Sequence, residues 1–261
     1  MGFLGFLRTS GLVIVSVILA ILLLALGTIS TLGFSINHEN VQKTVPDVLK
    51  QTYLTPESQQ QMSGNLLQFQ LYCNQTNSEN VTIPLNNSEF PYLVVPCTEV
   101  YKGTNSTVDY CVNQLVNEMY YKDYSCSGVR DCINKNPTYL VSNRFREDLM
   151  HYALVFLLIS LACFVLVFLL ARKKSNACFI IGIITGAVSL LLLIFGNVLK
   201  DFLGSLPSSQ GISPSSFANI FFSSSTSVFL IFLFFGLAFI ITGIFLKVLS
   251  IGQVVDDEEE E

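Results

Sequence analysis

The residues of this chain with the clearest chemistry are its seven cysteines, five of which fall in one segment: Cys73, Cys97, Cys111, Cys126 and Cys132. Disulfides form and persist in oxidising compartments. Among these cysteines stand four Asn-x-Ser/Thr patterns, at Asn74, Asn80, Asn86 and Asn105, whereas Asn136 is barred by Pro137. Each pattern is an acceptor for an N-linked glycan in a host that glycosylates. Both chemistries belong to the extracellular or lumenal side of a membrane. An odd set of cysteines cannot pair completely. Cys126 with Cys132 closes a small loop, Cys73 with Cys97 or with Cys111 closes a larger one, and spacing does not choose. The leftover thiol is expected to be buried and free, modified, or bridged to a second chain.

The other two cysteines are of a different kind. Cys178 lies near Lys173 and Lys174 at the edge of an apolar run, a candidate for S-acylation or a plain buried thiol. Cys163 is deep within such a run. The chain has two histidines, His38 and His151. It has no Cys-x-x-Cys, no zinc-site spacing, no phosphate loop, no dinucleotide fingerprint, no His-Glu-x-x-His and no Gly-x-Ser-x-Gly. The expectation is no catalytic, cofactor-binding or metal set, and no enzyme. The polar group that would serve a membrane enzyme is His151 with Glu147 and Asp148. No exposed basic patch is present, so nucleic acid is not an expected partner.

The elements that must position these groups are set by hydropathy. The chain is 51% hydrophobic and 13% charged, about half the charged share of a soluble domain. Its apolar residues concentrate in runs at 12–34, 150–171, 177–196 and 228–246. Each approaches the roughly 20 residues a helix needs to cross hydrocarbon. Their interiors carry no ionisable side chain, and a charge at mid-bilayer costs several kcal/mol or more. Backbone in lipid must pair internally, so each run is expected to be a helix. The predicted fold is an all-α membrane bundle of four transmembrane helices, with a disulfide-braced mixed α/β external domain, 35–149, inserted between helices 1 and 2. The first run is longer than the 7–15 apolar residues of a cleaved signal peptide and reads as a retained signal anchor.

Basic residues near helix ends set orientation. Arg8, the cluster Arg172-Lys173-Lys174 and Lys247 place 1–11, 172–176 and 247–261 in the cytoplasm. That leaves 35–149 and the Ser/Pro-rich 197–227 outside, in the plasma membrane or a secretory-pathway membrane. Within the runs, Gly182 and Gly186 form a GxxxG pattern, and Gly236 and Gly243 stand one heptad apart, so both pairs are candidates for close helix packing. The lack of intramembrane charge argues against an ion-coupled transporter built from this chain alone.

Inside the external segment, Thr55-Pro56-Glu57 reads as a helix start with a Thr cap and Pro in the first turn. Phe90–Val95 reads as a strand stopped by Pro96. Asp109–Tyr121 reads as a helix whose Val112, Leu115, Val116 and Met119 share a face. Asn74–Asn87 reads as an exposed, glycan-covered loop. Phe217, Ile220, Phe221 and Phe222 read as a short interfacial helix, lying against the headgroups or under the large external domain. The tail Asp256–Glu261 is expected to be disordered, to repel anionic lipid and to suit a basic cytoplasmic partner.

The leading functional reading is a non-enzymatic membrane interaction protein, a structural, adhesive or accessory subunit of a larger assembly. Its partners would be membrane lipids and other membrane proteins or further copies of itself. The alternatives are a channel or transporter subunit whose pore forms on oligomerisation, and a ligand-sensing receptor component. The outline of four spans resembles tetraspanins and claudin-like proteins. Without a Cys-Cys-Gly or any Trp, it implies nothing further from either.

Overall fold

The structure is a computed structural model that describes residues 3–53, 56–84, 91–205, 218 and 220–259. It divides into two compact units. One is Met1–Ser35, Glu147–Lys200 and Phe222–Glu261; the other is Ile36–Arg146 with Asp201–Phe221. The first holds long helices: α1 (Phe3–Ser35), most of α7 (Asn143–Leu170), most of α8 (Lys174–Ser205) and α9 (Ser225–Glu259). Four stretches are long and apolar enough to cross a membrane: Arg8–Ser35, Asn143–Leu170, Lys174–Leu199 and Ile220–Leu249. The shortest has 26 residues, or roughly 39 Å of helix against about 30 Å of hydrocarbon.

Small residues let these helices approach. A Cβ on Gly182 would meet the Gly236 carbonyl oxygen at 2.9 Å, and a Cβ on Gly236 would meet the Gly186 nitrogen at 3.0 Å. The backbones of α8 and α9 are therefore in contact. Two helical turns further along, Gly243 faces Cys178, Phe179 and the Ser175 carbonyl, all at 3.3 Å, and Ser175 donates to the Gly243 carbonyl at 3.1 Å. Gly27 of α1 packs on Leu192, and Gly33 on Met150. Leu19, Leu23, Val167, Ile181 and Val188 fill the space between. Thr31, Ser160, Thr185 and Thr242 each donate to the carbonyl four residues back, so these hydroxyls are spent within their own helices.

Arg8 does more than add positive charge. Its guanidinium donates to the Leu170 carbonyl, and to that of Ala171 at 2.9 Å. These acceptors are the carbonyls a helix leaves unpaired at its C-terminus, where the dipole favours a cation. Arg8→Gln is expected to lower bundle stability by about 1 kcal/mol, read as a shift in the unfolding midpoint in mixed micelles. Arg8→Lys should recover part of it, because an ammonium lacks the planar fork.

The inserted unit begins with α2 (His38–Tyr53), whose first turn is capped by the Asn37 carboxamide accepting from the Asn40 N–H at 2.8 Å. Helix α3 (Pro56–Thr76) follows, then the strands β1 (Asn80–Pro84) and β2 (Tyr92–Pro96), the short α4 (Cys97–Tyr101), α5 (Thr104–Tyr121), α6 (Val129–Lys135) and a 3-10 turn (Pro137–Val141). The strands pair antiparallel with Val81 opposite Val95 and Ile83 opposite Leu93. That face is buried against α3, α4 and α5; the other carries Thr82, Tyr92 and Val94 outward. Gly103, at φ +105°, turns the chain from α4 into α5.

Helices α2 and α5 run antiparallel. His38 bonds Asn117 at 3.0 Å at one end, and Lys50 pairs with Asp109 at 2.6 Å at the other. Tyr120 packs against the His38 ring, and Tyr124, Tyr139 and Phe145 form a second aromatic group. Ser142 caps α7, accepting from the Phe145 N–H at 3.2 Å.

Several expectations change. Residues 74–87 are not one open loop: Asn74–Thr76 ends α3, and Asn80–Pro84 is a strand because Val81 and Ile83 alternate toward the core. Strand β2 begins at Tyr92 and includes Pro96, which sits at its last position, where a missing N–H costs least. Helix α5 starts at Thr104, five residues before Asp109. The backbone of α9 runs on to Glu259, since a helix once nucleated adds one bond per residue; Asp256–Glu259 continue it, and Glu260 and Glu261 of the expected disordered tail lie outside the described residues. Of the two placements open to 217–222, the burial of Ile220 fits the one against protein and not the one on headgroups. Thr55, Asn86, Phe90 and Phe217 lie outside the described residues.

Candidate functional site

Disulfides set the frame of the inserted unit. Cys73, near the end of α3, joins Cys97 at the start of α4, with Cα atoms 5.9 Å apart. Both cysteines are buried with Leu66, Val81, Val95 and Val100. Cys126 joins Cys132, closing a short loop over the start of α6. Cys111, on α5, is left as a free thiol. Near the first bridge, the Glu99 carboxylate accepts from Lys102 at 2.6 Å and Ser106 at 2.7 Å. These bonds, that of Lys102 foremost, hold its pKa below the ordinary carboxylate value. The Thr107 hydroxyl donates to the Glu99 backbone carbonyl at 3.2 Å. Together these contacts fasten the start of α5 to α4.

Between α2, α3, the hairpin and α5 lies a cavity of about 440 Å³. Leu49 comes from α2, Leu66 and Phe69 from α3, and Val108, Val112 and Leu115 from α5; Ile83 and Leu93 of the hairpin also reach it. The α5 stripe predicted from spacing thus divides. Val116 and Met119 are buried in the core, while Val112 and Leu115 line the cavity. Among the described residues no charged side chain lines it; the polar members are Asn65, Thr104, Thr107 and Cys111. The Thr107 hydroxyl is already engaged with backbone carbonyls.

Cys111 borders this cavity, and burial pushes its thiol from the ordinary 9.0 up to about 11. The unfolded chain therefore releases this proton first as pH rises. Its contribution to stability is complete below pH 9 and declines from there toward pH 11. Alkylation of folded Cys111 by iodoacetamide should accelerate only near pH 11, and in denaturant near pH 9. A thiol so placed is poorly prepared to bridge a second chain.

Other residues singled out from sequence are placed apart from the cavity. Asn74, Asn80 and Asn105 are exposed, the first accepting from the Tyr101 hydroxyl at 3.1 Å. Gly182, Gly186, Gly236 and Gly243 meet across the single seam between α8 and α9. Cys178 is 2% exposed in that seam. His38 is held by Asn117 and tyrosine rings. His151 is exposed beside Tyr152 on α7, one helical turn from Glu147 and Asp148. Among the described residues no three His, Cys, Asp or Glu side chains gather as for a metal ion.

The outward faces of the bundle decide its environment. Ile21 is 64% exposed, Leu169 68%, Phe234 70% and Phe245 63%. No more than 39% of any span's most apolar window is buried in the protein. Water does not tolerate continuous apolar surface on that scale, whereas lipid does. The chain is built as a multi-pass helical membrane protein carrying a disulfide-linked α/β insertion. No family model, curated protein or solved structure matches it.

Proposed function

We propose that this protein is a non-enzymatic membrane interaction subunit whose working part is the inserted unit, held on the extracellular or lumenal side. Segments 1–11, 172–176 and 247–261 face the cytoplasm in this reading. The observation that carries it is that the inserted unit has its own core and two disulfides, yet leaves large apolar side chains outward. Leu67 and Leu71 stand one turn apart on α3 at 62% and 54% exposure, and Tyr92 and Val94 share the outer face of β2. Exposed apolar clusters on a soluble surface mark contact sites. The glycine seam, by contrast, is already filled within the chain, which leaves the lipid-facing sides and the inserted unit for partners.

A photo-crosslinking residue at Leu71 or Tyr92, activated in native membranes, should give one discrete adduct that Leu67→Glu abolishes. A monomer without an adduct at either site would remove the proposal. The ligand-sensing alternative draws support from the cavity in the same unit. The channel alternative draws none from the bundle, whose described hydroxyls bond mainly within their own helices.

A further inference from the structure

We infer that the cavity between α2, α3, the hairpin and α5 is a binding site for one acyl chain of a single-chain lipid. Its volume of about 440 Å³ falls in the lower part of the roughly 300–1,000 Å³ range of ligand sites, which suits one chain better than two. The described wall is aliphatic, made chiefly by Leu49, Leu66, Val108, Val112 and Leu115, with Phe69 its one aromatic among the described residues. Flexible aliphatic walls match an unbranched chain. No charge lines the described wall, so a headgroup stays at the mouth in water.

Water is a poor alternative occupant. Filling this volume takes on the order of 15 molecules, each wanting two to four polar partners. The described lining offers Asn65, Thr104, Thr107 and the Cys111 thiol, and Thr107 already donates to backbone. The protonated thiol is compatible with an apolar tenant. Supply also follows from connectivity. Helix α1 ends at Ser35 and α2 begins at His38, while α7 carries the chain from the inserted unit back into an apolar span. The domain is tethered at both ends to lipid-soluble helices. The inference needs no protein partner, so an empty crosslinking screen at Leu71 leaves it standing.

The test uses the full chain in nanodiscs with a diazirine-bearing C16 fatty acid, followed by peptide mapping. The expected result is saturable labelling of residues 104–121, reduced by at least about tenfold in Val108→Phe and Val112→Phe, with labelling of span peptides unchanged. A second readout needs no substitution: oleate should slow Cys111 alkylation in the wild-type protein by a similar factor. Labelling of 104–121 that the filling variants leave intact overturns the site, as does alkylation indifferent to oleate. Labelling by a diazirine phosphatidylcholine but not by the fatty acid overturns the single-chain assignment.

Discussion

Gly236→Val is expected to force α8 and α9 apart, while Gly186→Ala, on the facing helix, is expected to leave them together. The contrast comes from what each new side chain meets. A Cβ on Gly236 lies 3.0 Å from the Gly186 nitrogen and 3.1 Å from the Gly182 carbonyl oxygen. Both are backbone atoms of a rigid helix and cannot rotate aside. Valine adds two methyl groups to that clash, and overpacking of this kind costs about 3 kcal/mol or more. Gly182→Ala should also be damaging, since its Cβ would meet Ile240 and the Gly236 carbonyl. A Cβ on Gly186 meets nothing within 4 Å, and alanine is favoured over glycine within a helix by about 0.5–1 kcal/mol. Unfolding midpoints in mixed micelles should therefore fall sharply for Gly236→Val and hold or rise for Gly186→Ala. A GxxxG pattern treats its two glycines alike; the packing does not.

The second large effect is expected from Cys97→Ser. The bond from Cys73 spans a sequence separation of 24 residues and the one from Cys126 spans six. Loop-closure entropy then assigns about 3 kcal/mol to the first and about 2 kcal/mol to the second. Breaking the first also leaves a hydroxyl and a thiol in a pocket shared with Val95 and Val100, both fully buried. Limited proteolysis should cut 36–146 much faster in Cys97→Ser than in wild type, and only modestly faster in Cys126→Ser. Equal protection in all three would mean that the unit does not depend on its bridges.

The spans were legible because they rest on a one-dimensional signal. Runs of apolar residues without charge, such as 12–34 and 228–246, need no knowledge of the rest of the fold. Helix α5 was legible for a similar reason, through the spacing of Val112, Leu115, Val116 and Met119. Strand β1 was missed because Val81-Thr82-Ile83 is short and lies among Asn-x-Ser/Thr patterns; only its pairing with Leu93 and Val95 makes it a strand. Helix α2 was hidden by Pro46, which lacks the N–H of an interior helical residue. Cysteine pairing depends on which helix ends meet, so spacing left Cys97 and Cys111 equal until α4 placed one and not the other beside Cys73. The contact of Arg8 with the end of α7 joins residues more than 160 positions apart. The cavity has no sequence signature at all: it is a shortfall of side-chain volume among residues that otherwise read as ordinary core.

The interaction role proposed for the inserted unit depends on which side of the membrane it occupies, and native lysines report on that directly. Lys43 and Lys135 are well exposed on it, at 69% and 60% of their side-chain surface, while Lys173, in the turn after α7, and Lys174, the first residue of α8, are exposed at the other end of these spans. An impermeant amine-reactive biotin should be applied to sealed membranes of known sidedness, before and after permeabilisation, and the labelled lysines mapped. The account predicts that Lys43 and Lys135 react from the extracellular or lumenal face, and that Lys173 and Lys174 react from the cytoplasmic face alone. Reaction of Lys43 and Lys135 from the cytoplasmic face would contradict it.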